Sequence, residues 1–249
     1  MPYRFATQDQ DYSDFSGGRV LYSLPGYPAF PVRLSSEIFQ RAVRHLDRSP
    51  ARLHVYDPTC GGAYHLTALG LLHGEQIQTI SASDVDEGAV RLARRNLSLL
   101  QPDGMQRRED EIRRMYAEYG KPSHADALRS TAVLRDLLQD KPAIETHVFE
   151  ADALDPAAVE RGLQGAKVDL VISDIPYGQM SGWVRSQTRC EEATSPPYQM
   201  LEALLGVLAP QAVAAMAADK AQKIAHPAYE RVEHFKLGKR QVVVLRPKR

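Results

Sequence analysis

The chain has few cysteines and no excess charge of either sign. Cys60 and Cys190 are the two cysteines in 249 residues. They are too few for a disulfide framework and too far apart for a CxxC redox or zinc site. Lys plus Arg and Asp plus Glu each number 31, so the formal net charge is zero. A polyanion would have to be held by local patches and not by the field of the whole molecule. No apolar run approaches the roughly 18 residues that cross a bilayer. Met1-Pro2-Tyr3-Arg4-Phe5 has neither an apolar signal core nor a cleavage site. Histidines are scattered without metal-ligand spacing and neither cysteine has a neighbouring partner, so no metal is expected. Internal repeats and low-complexity tracts are absent. The remaining composition, 43% hydrophobic and 25% charged, is that of an ordinary globular chain. Together these features predict a soluble, cytoplasmic protein.

Strand and helix patterns alternate along most of the length. Prolines and Gly26 forbid a regular helix over Leu24 to Pro31. A helix is then expected from Ser35 or Ser36, with Glu37 favouring its dipole and Ile38, Ala42 and Leu46 forming its apolar stripe. Strands are predicted over 53–56, 79–83, 144–149, 168–173 and 212–217. Helices are predicted over 64–73, after the cap residue Asp86 with Val90, Ala93, Leu97 and Leu100 inward, and ending over 202–208. Two last strands, 232–237 and 241–245, join through Gly238 as a hairpin. This alternation implies a doubly wound, Rossmann-like α/β fold. It is read as one domain over 1–249, with a seven-stranded, mostly parallel sheet and an antiparallel edge hairpin. Residues 101–143 exceed what a connection needs and read as a helical insertion. Its first helix has Ile112, Met115, Tyr116 and Tyr119 in its stripe and stops at Gly120 and Pro122. Its second starts at Ser123 with Leu134, Leu137 and Leu138 inward.

Candidate chemistry lies at the predicted strand ends. After the first strand comes Asp57-Pro58-Thr59-Cys60-Gly61-Gly62-Ala63-Tyr64, where Gly61 and Gly62 let the backbone approach a ligand closely. Asp84 ends the second strand 23 residues beyond Gly61, a spacing suited to accepting both hydroxyls of a ribose. The loop is not a GxGxxG pyrophosphate loop, and the acid that opens it would repel phosphates. A nucleoside with a cationic or zwitterionic tail fits better, and S-adenosylmethionine is such a molecule. The fourth strand ends Ser173-Asp174-Ile175-Pro176-Tyr177-Gly178. An exocyclic nucleobase amine is a poor nucleophile because its lone pair is conjugated into the ring. Asp174 and the Ile175 carbonyl can bind both its hydrogens and localise that pair. Pro176 stiffens the turn and Tyr177 can stack on the base, a contact worth about 1–3 kcal/mol.

Taken in order, Asp57-Pro58, Cys60-Gly61, Asp84-Val85-Asp86 and Asp174-Ile175-Pro176-Tyr177-Gly178 resemble class I S-adenosylmethionine-dependent methyltransferases that act on base nitrogens. Pro25 to Arg33, Glu37-Ile38-Phe39-Gln40, Gly70-Leu71-Leu72-His73, Ala82 to Asp86 and the helical insertion extend the likeness to the avilamycin-resistance rRNA methyltransferase family AviRa. The resemblance covers nearly the whole chain. It implies a class I methyltransferase fold, S-adenosylmethionine as cofactor, a guanosine of 23S ribosomal RNA or the large subunit as partner, and orthosomycin resistance. It implies that Asp57, Gly61 and the neighbouring Cys60 and Gly62 hold the methionine part, Asp84 the ribose, Val85 the adenine edge and Asp152 the adenine amine. Cys60 is read as a small buried residue, since no second cysteine is placed to resolve a methylated adduct. The segment 20–50 is expected to close the cofactor or substrate pocket through Phe30 and Arg33. Two residues depart from the family pattern. Ala63 replaces a glycine, placing a Cβ where the methionine part is expected to pass, and Ile175 replaces a proline, favouring guanine over adenine. Trp183 and Arg185 follow the catalytic turn and are candidate RNA contacts. So are Lys236, Lys239 and Arg240, because residues 231–249 carry seven basic side chains against Glu233 alone. Residues 33–52 form a second basic stretch, with five arginines against Glu37 and Asp47. Rival readings are methylation of a DNA adenine or a protein glutamine, and a cofactor-free rRNA-binding or assembly factor.

Overall fold

A computed structural model describes residues 3–46, 51–175 and 195–248. The elements run α1 (Val32–Val43), β1 (Leu53–Asp57), α2 (Tyr64–His73), β2 (Ile77–Asp84), α3 (Glu87–Ser98), α4 (Pro102–Tyr119), α5 (Pro122–Asp136), β3 (Glu145–Glu150), α6 (Pro156–Leu163), β4 (Val168–Asp174), α7 (Pro196–Leu205), β5 (Leu208–Asp219), β6 (Tyr229–Leu237) and β7 (Arg240–Pro247). The seven strands form one sheet in the order β3-β2-β1-β4-β5-β7-β6. The pairs from β3 across to β5 are parallel, and β7 runs antiparallel to both β5 and β6. The middle of β4 and most of β5 are buried on both faces, and they read as the apolar runs Leu170 to Ile172 and Ala212 to Ala218. Val55, Leu170, Ile172, Val213 and Ala215 join a core beneath α1, α2 and α3. Tyr56, Val171, Ala214 and Met216 point the other way, into a core that includes α6 and α7. Strand order reverses at β1 and β4, and open α/β sheets bind ligands beyond the carboxyl ends at such a point. Asp57, Asp84 and Asp174 are the last residues of β1, β2 and β4.

Four local expectations are corrected. Helix α1 starts at Val32 after an extended Pro31, so Glu37 is not in its first turn. Glu37 is fully buried, and its carboxylate accepts the backbone N–H groups of Arg4, Phe5 and Ala6 at 2.6, 2.9 and 2.9 Å. In α4 the inward residues are Met105, Arg108, Glu109 and Ile112, while Tyr116 and Tyr119 are exposed. That helix packs on the body as far as Ile112, and within this stretch Arg108 donates to the Val20 and Arg19 carbonyls. Helix α5 begins one residue early, because Pro122 suits a first helical position. Helix α7 ends at Leu205, and Leu208 already belongs to β5. Among the described residues no helix is long and apolar enough to cross a membrane.

Arg41 extends the Glu37 anchor. Its Nε donates to Glu37 at 2.7 Å and its Nη1 to Glu233 of β6 at 2.7 Å, so one buried guanidinium ties α1 to the edge strand. Burial alone would raise the Glu37 carboxyl, but the N–H donors and Arg41 outweigh it and hold it below the ordinary carboxylate range. A lowered folded value means that this stabilisation is present above the ordinary Glu range and is lost as pH falls through the folded one. Glu37→Gln should therefore cost about 2–4 kcal/mol at pH 7 in chemical denaturation, with the gap to wild type closing in acid. A loss below about 0.5 kcal/mol would show that the N-terminal segment holds without this carboxylate.

Candidate active site

The carboxyl edge of β1, β2 and β4 opens into a cavity of about 620 Å³. Its walls are the three strand-end acids, the loop from Pro58 to Gly62, and the segment from Tyr22 to Phe30 folded over the top. Gly61 takes a left-handed φ of +51°, which turns its N–H onto Asp84 Oδ2 at 2.9 Å. Asp84 Oδ1 accepts the Asp86 N–H at 3.0 Å, so two backbone donors fix this carboxylate at the cavity wall. Burial pushes the Asp84 carboxyl up, against those donors.

Asp57 is fully buried. Its Oδ1 accepts the Thr59 N–H at 3.0 Å, and the Thr59 hydroxyl meets the Ser173 hydroxyl at 2.7 Å. Its Oδ2 receives no hydrogen bond, although His65 Nε2 lies 3.2 Å away. Burial pushes Asp57 up to about 7, against the Ser173 and Thr59 groups beside it. Burial likewise pushes the His65 imidazole down to about 4, so it is neutral at physiological pH and gives Asp57 no counter-charge. Asp174 is lifted to about 6 by burial, with Arg240 the main opposing influence. Asp174 Oδ1 is buried, accepts no hydrogen bond, and lies 3.7 Å from Arg240 Nε. The Arg240 guanidinium also covers the Phe30 ring at 5.2 Å, and Phe30 meets His65 edge-on at 5.9 Å.

Of the residues singled out in the sequence, Phe30, Asp57, Cys60, Gly61, Gly62, Asp84, Val85, Asp152, Asp174 and Ile175 share this one cavity. Val85 is exposed at its mouth. Asp152 Oδ1 takes the Leu154 N–H at 2.9 Å, while the cap of α6 is Asp155. Burial holds the Cys60 thiol well above its ordinary range, which makes it a poor nucleophile. A Cβ at Gly62 would lie 2.7 Å from Leu92 Cδ2, so this glycine lets α3 pack against the loop. Pro176, Tyr177, Trp183 and Arg185 lie outside the described residues.

Two expectations fail here. Arg33 does not close the pocket. It lies on α1, donates to the Ala6 carbonyl at 3.0 Å and pairs with Asp9, holding the N-terminal segment. Ala63 does not put its methyl group into the cavity. It takes a left-handed φ of +52° and is fully buried in the core beneath the loop, off the cavity wall. Two residues were missed. Asn96 accepts the Tyr22 N–H at 2.8 Å and donates to the Tyr22 and Gly62 carbonyls at 3.0 and 2.8 Å, joining the overlying segment to the loop. The Tyr27 hydroxyl donates to Asp86 Oδ1 at 2.9 Å and fastens the same segment to the cap of α3. A buried Asn on a helix face was the one available signal for the first, and nothing marked the second.

The basic stretches are thinner in space than in sequence. Arg41 and Arg246 pair with Glu233 and Glu230, and Arg52 donates to backbone carbonyls. Lys236 and Lys239 stand exposed on the hairpin, whereas the Arg240 side chain turns into the cavity.

A sequence profile described as rRNA methyltransferase AviRa matches residues 1–240. The chain belongs to the AviRa family of rRNA methyltransferases. It is 39% identical over 245 residues to the 23S rRNA (guanine(2535)-N(1))-methyltransferase of Streptomyces viridochromogenes, covering 98% of this chain and 95% of that one. The crystal structure of the Streptomyces viridochromogenes rRNA methyltransferase aviRa superposes with a TM-score of 0.87 at 38% identity, over 99% of this chain and 96% of that chain. A putative class I S-adenosylmethionine-dependent methyltransferase from Listeria monocytogenes shares the fold alone, at a TM-score of 0.50 and 15% identity, over 91% of this chain and 62% of that chain. The seven-stranded sheet with its antiparallel edge pair is therefore the class I methyltransferase fold of this family, and the protein is a methyltransferase.

Asp57 also sets a pH dependence. A folded value near 7 means that its ionisation opposes folding increasingly from about pH 4 to about pH 7, and by a constant amount above. Asp57→Asn should stabilise the ligand-free protein by about 1–3 kcal/mol at pH 8, with the gain vanishing toward pH 4. Denaturation curves at pH 8 that superpose for the two proteins would place the carboxyl in a more polar setting than its burial implies.

Proposed function

We propose that the protein transfers a methyl group from S-adenosylmethionine to N1 of a guanosine in 23S ribosomal RNA, conferring orthosomycin resistance. The observation that carries this reading is that the strand-end acids Asp57, Asp84 and Asp174 line one cavity, and that Asp57 and Asp174 each keep a buried oxygen without a hydrogen bond. Ligand N–H groups complete both in this reading. Asp57 fits the ammonium of the methionine part, Asp84 the ribose hydroxyls, and Asp152 with Val85 the adenine. A cavity of about 620 Å³ has room for this molecule beside one base. When bound, S-adenosylmethionine supplies a methyl group on a positively charged sulfur.

Guanine N1 is a ring nitrogen with one hydrogen, so binding both hydrogens of an exocyclic amine gives way to acceptance of a single proton. Asp174 accepts it. Burial lifts its carboxyl to about 6, so it is ionised near neutral pH yet more basic than an ordinary Asp. The Ile175 N–H is held by the Ala217 carbonyl at 3.0 Å, which fixes the backbone just after the base, and the Ile175 carbonyl serves the guanine 2-amino group. Phe30 and the segment above it keep water from the reacting atoms. Exposed Lys236 and Lys239 on the hairpin hold RNA phosphates in this reading, and Trp183 and Arg185 stay candidate RNA contacts from the sequence.

Ribosomal RNA incubated with the protein and S-adenosylmethionine should acquire a reverse-transcription stop at one guanosine, since an N1 methyl blocks base pairing, and a susceptible host should become resistant. Label appearing instead in DNA or protein would replace this reading with one of its rivals. Asp84→Ala should weaken S-adenosylmethionine binding by about 10- to 100-fold in calorimetry, through loss of charge-assisted hydrogen bonds to the ribose. Asp174→Asn should lower turnover at least about 100-fold while cofactor affinity stays within about threefold of wild type. A turnover loss under tenfold would remove Asp174 as the proton acceptor.

A further inference from the structure

Arg240 is the first residue of β7, just beyond the hairpin turn at Gly238, on the strand that pairs with β5. Its side chain lines the cavity, with the guanidinium over Phe30 and Nε 3.7 Å from Asp174 Oδ1. We propose that Arg240 is a catalytic residue, its guanidinium binding the guanine O6 and balancing the charge that reaches this oxygen when N1 loses its proton. The assignment rests on the guanine N1 reading above.

Recognition starts at the edge of the base. Guanine presents N1–H, a donor, directly beside O6, an acceptor. A carboxylate beside a guanidinium is the complementary pair, with Asp174 taking the proton and Arg240 donating to the oxygen. Adenine reverses both positions. Its N1 lone pair would face the carboxylate and its amino group the guanidinium, so the same two residues reject it.

Chemistry makes the same demand. The N1–H proton passes to Asp174 Oδ1, and the bonding pair stays on N1 and spreads onto O6. That pair forms the bond to the methyl carbon as the methyl–sulfur bond breaks and its electrons remain on sulfur. Asp174 then returns the proton to solvent. Negative charge therefore grows on O6 before the new bond is complete, and a fixed cation in a partly desolvated cavity stabilises it more than water does. Among the described residues, the charged groups that act on Asp174 are Arg240 from β7, His65 from α2 and Asp57 from β1. His65 is neutral at working pH and Asp57 is an acid, so neither supplies the positive charge.

The test uses the full-length protein and an RNA fragment spanning the guanosine that wild type methylates, made also with 2-aminopurine in its place, which lacks both O6 and N1–H. Binding is read by competition and by 2-aminopurine fluorescence, without turnover. Wild type should prefer the guanine fragment. Arg240→Gln should shrink that preference by about tenfold or more and slow methylation by about 10²–10³-fold, with Arg240→Lys recovering part of both. Removing the cation should also raise the Asp174 carboxyl and shift the acid limb of the pH–rate profile upward. Melting curves and cofactor affinity check that the variants are folded, and Arg240→Lys gives the answer if Arg240→Gln is not. A variant that shifts the acid limb but keeps the full guanine preference would make Arg240 a positioning residue for Asp174 and overturn the O6 contact. Unchanged preference and unchanged turnover would overturn it as well. Wild type that leaves guanine N1 unmethylated would instead defeat the guanine reading itself.

Discussion

Three carboxylates in one cavity set the terms for everything around them. Asp57, Asp84 and Asp174 end neighbouring strands, and burial raises the cost of ionising each. Concentrated acids of this kind destabilise a fold unless donors or cations answer them. The fold answers two with backbone: Gly61 and Asp86 for Asp84, Thr59 for Asp57. It answers the third with an arginine from a strand far away in sequence. Two buried acceptor oxygens, on Asp57 and Asp174, stay without a hydrogen bond.

Holding such a site together requires anchoring at a distance from it. The segment over the cavity has little regular structure, so its position depends on side chains fastened elsewhere. Asn96 and the Tyr27–Asp86 contact fix it to α3. Glu37 and Arg33 fix the residues before it to α1, and Arg41 carries that anchor across to β6. The edge hairpin that β6 closes is the one that delivers Arg240.

Much of this was legible in the sequence, and the limits were physical. Local period and caps located all seven strands and the Asp86 cap, because alternating burial and an Asx cap are properties of adjacent residues. Asp84 and Asp174 could be placed at the site because strand ends at a switch point share one edge. Arg240 reads as part of a basic tail until β7 is seen to insert between β5 and β6, a pairing that no local pattern encodes. Glu37 at a helix start looks like a dipole partner, yet a longer helix puts it inside, facing a segment about thirty residues upstream. Ala63 looked like an obstruction because spacing says nothing of where a left-handed residue points its methyl group. The Tyr116 and Tyr119 stripe failed because helical periodicity tells that a face exists, not which half of a long helix meets the body.

Asn96 has a reach beyond its immediate contacts. It is bound to the Gly62 carbonyl on one side and to both backbone groups of Tyr22 on the other. The Tyr22 ring lies between the Arg95 and Arg108 guanidiniums, at 3.8 and 4.2 Å, and its hydroxyl donates to Glu111 of α4 at 2.9 Å. One amide thus links the cavity loop to the overlying segment, and the Tyr22 side chain continues the link to the helical insertion. The cavity loop and α4 are thereby joined through two side chains, Asn96 and Tyr22, although they lie far apart along the chain.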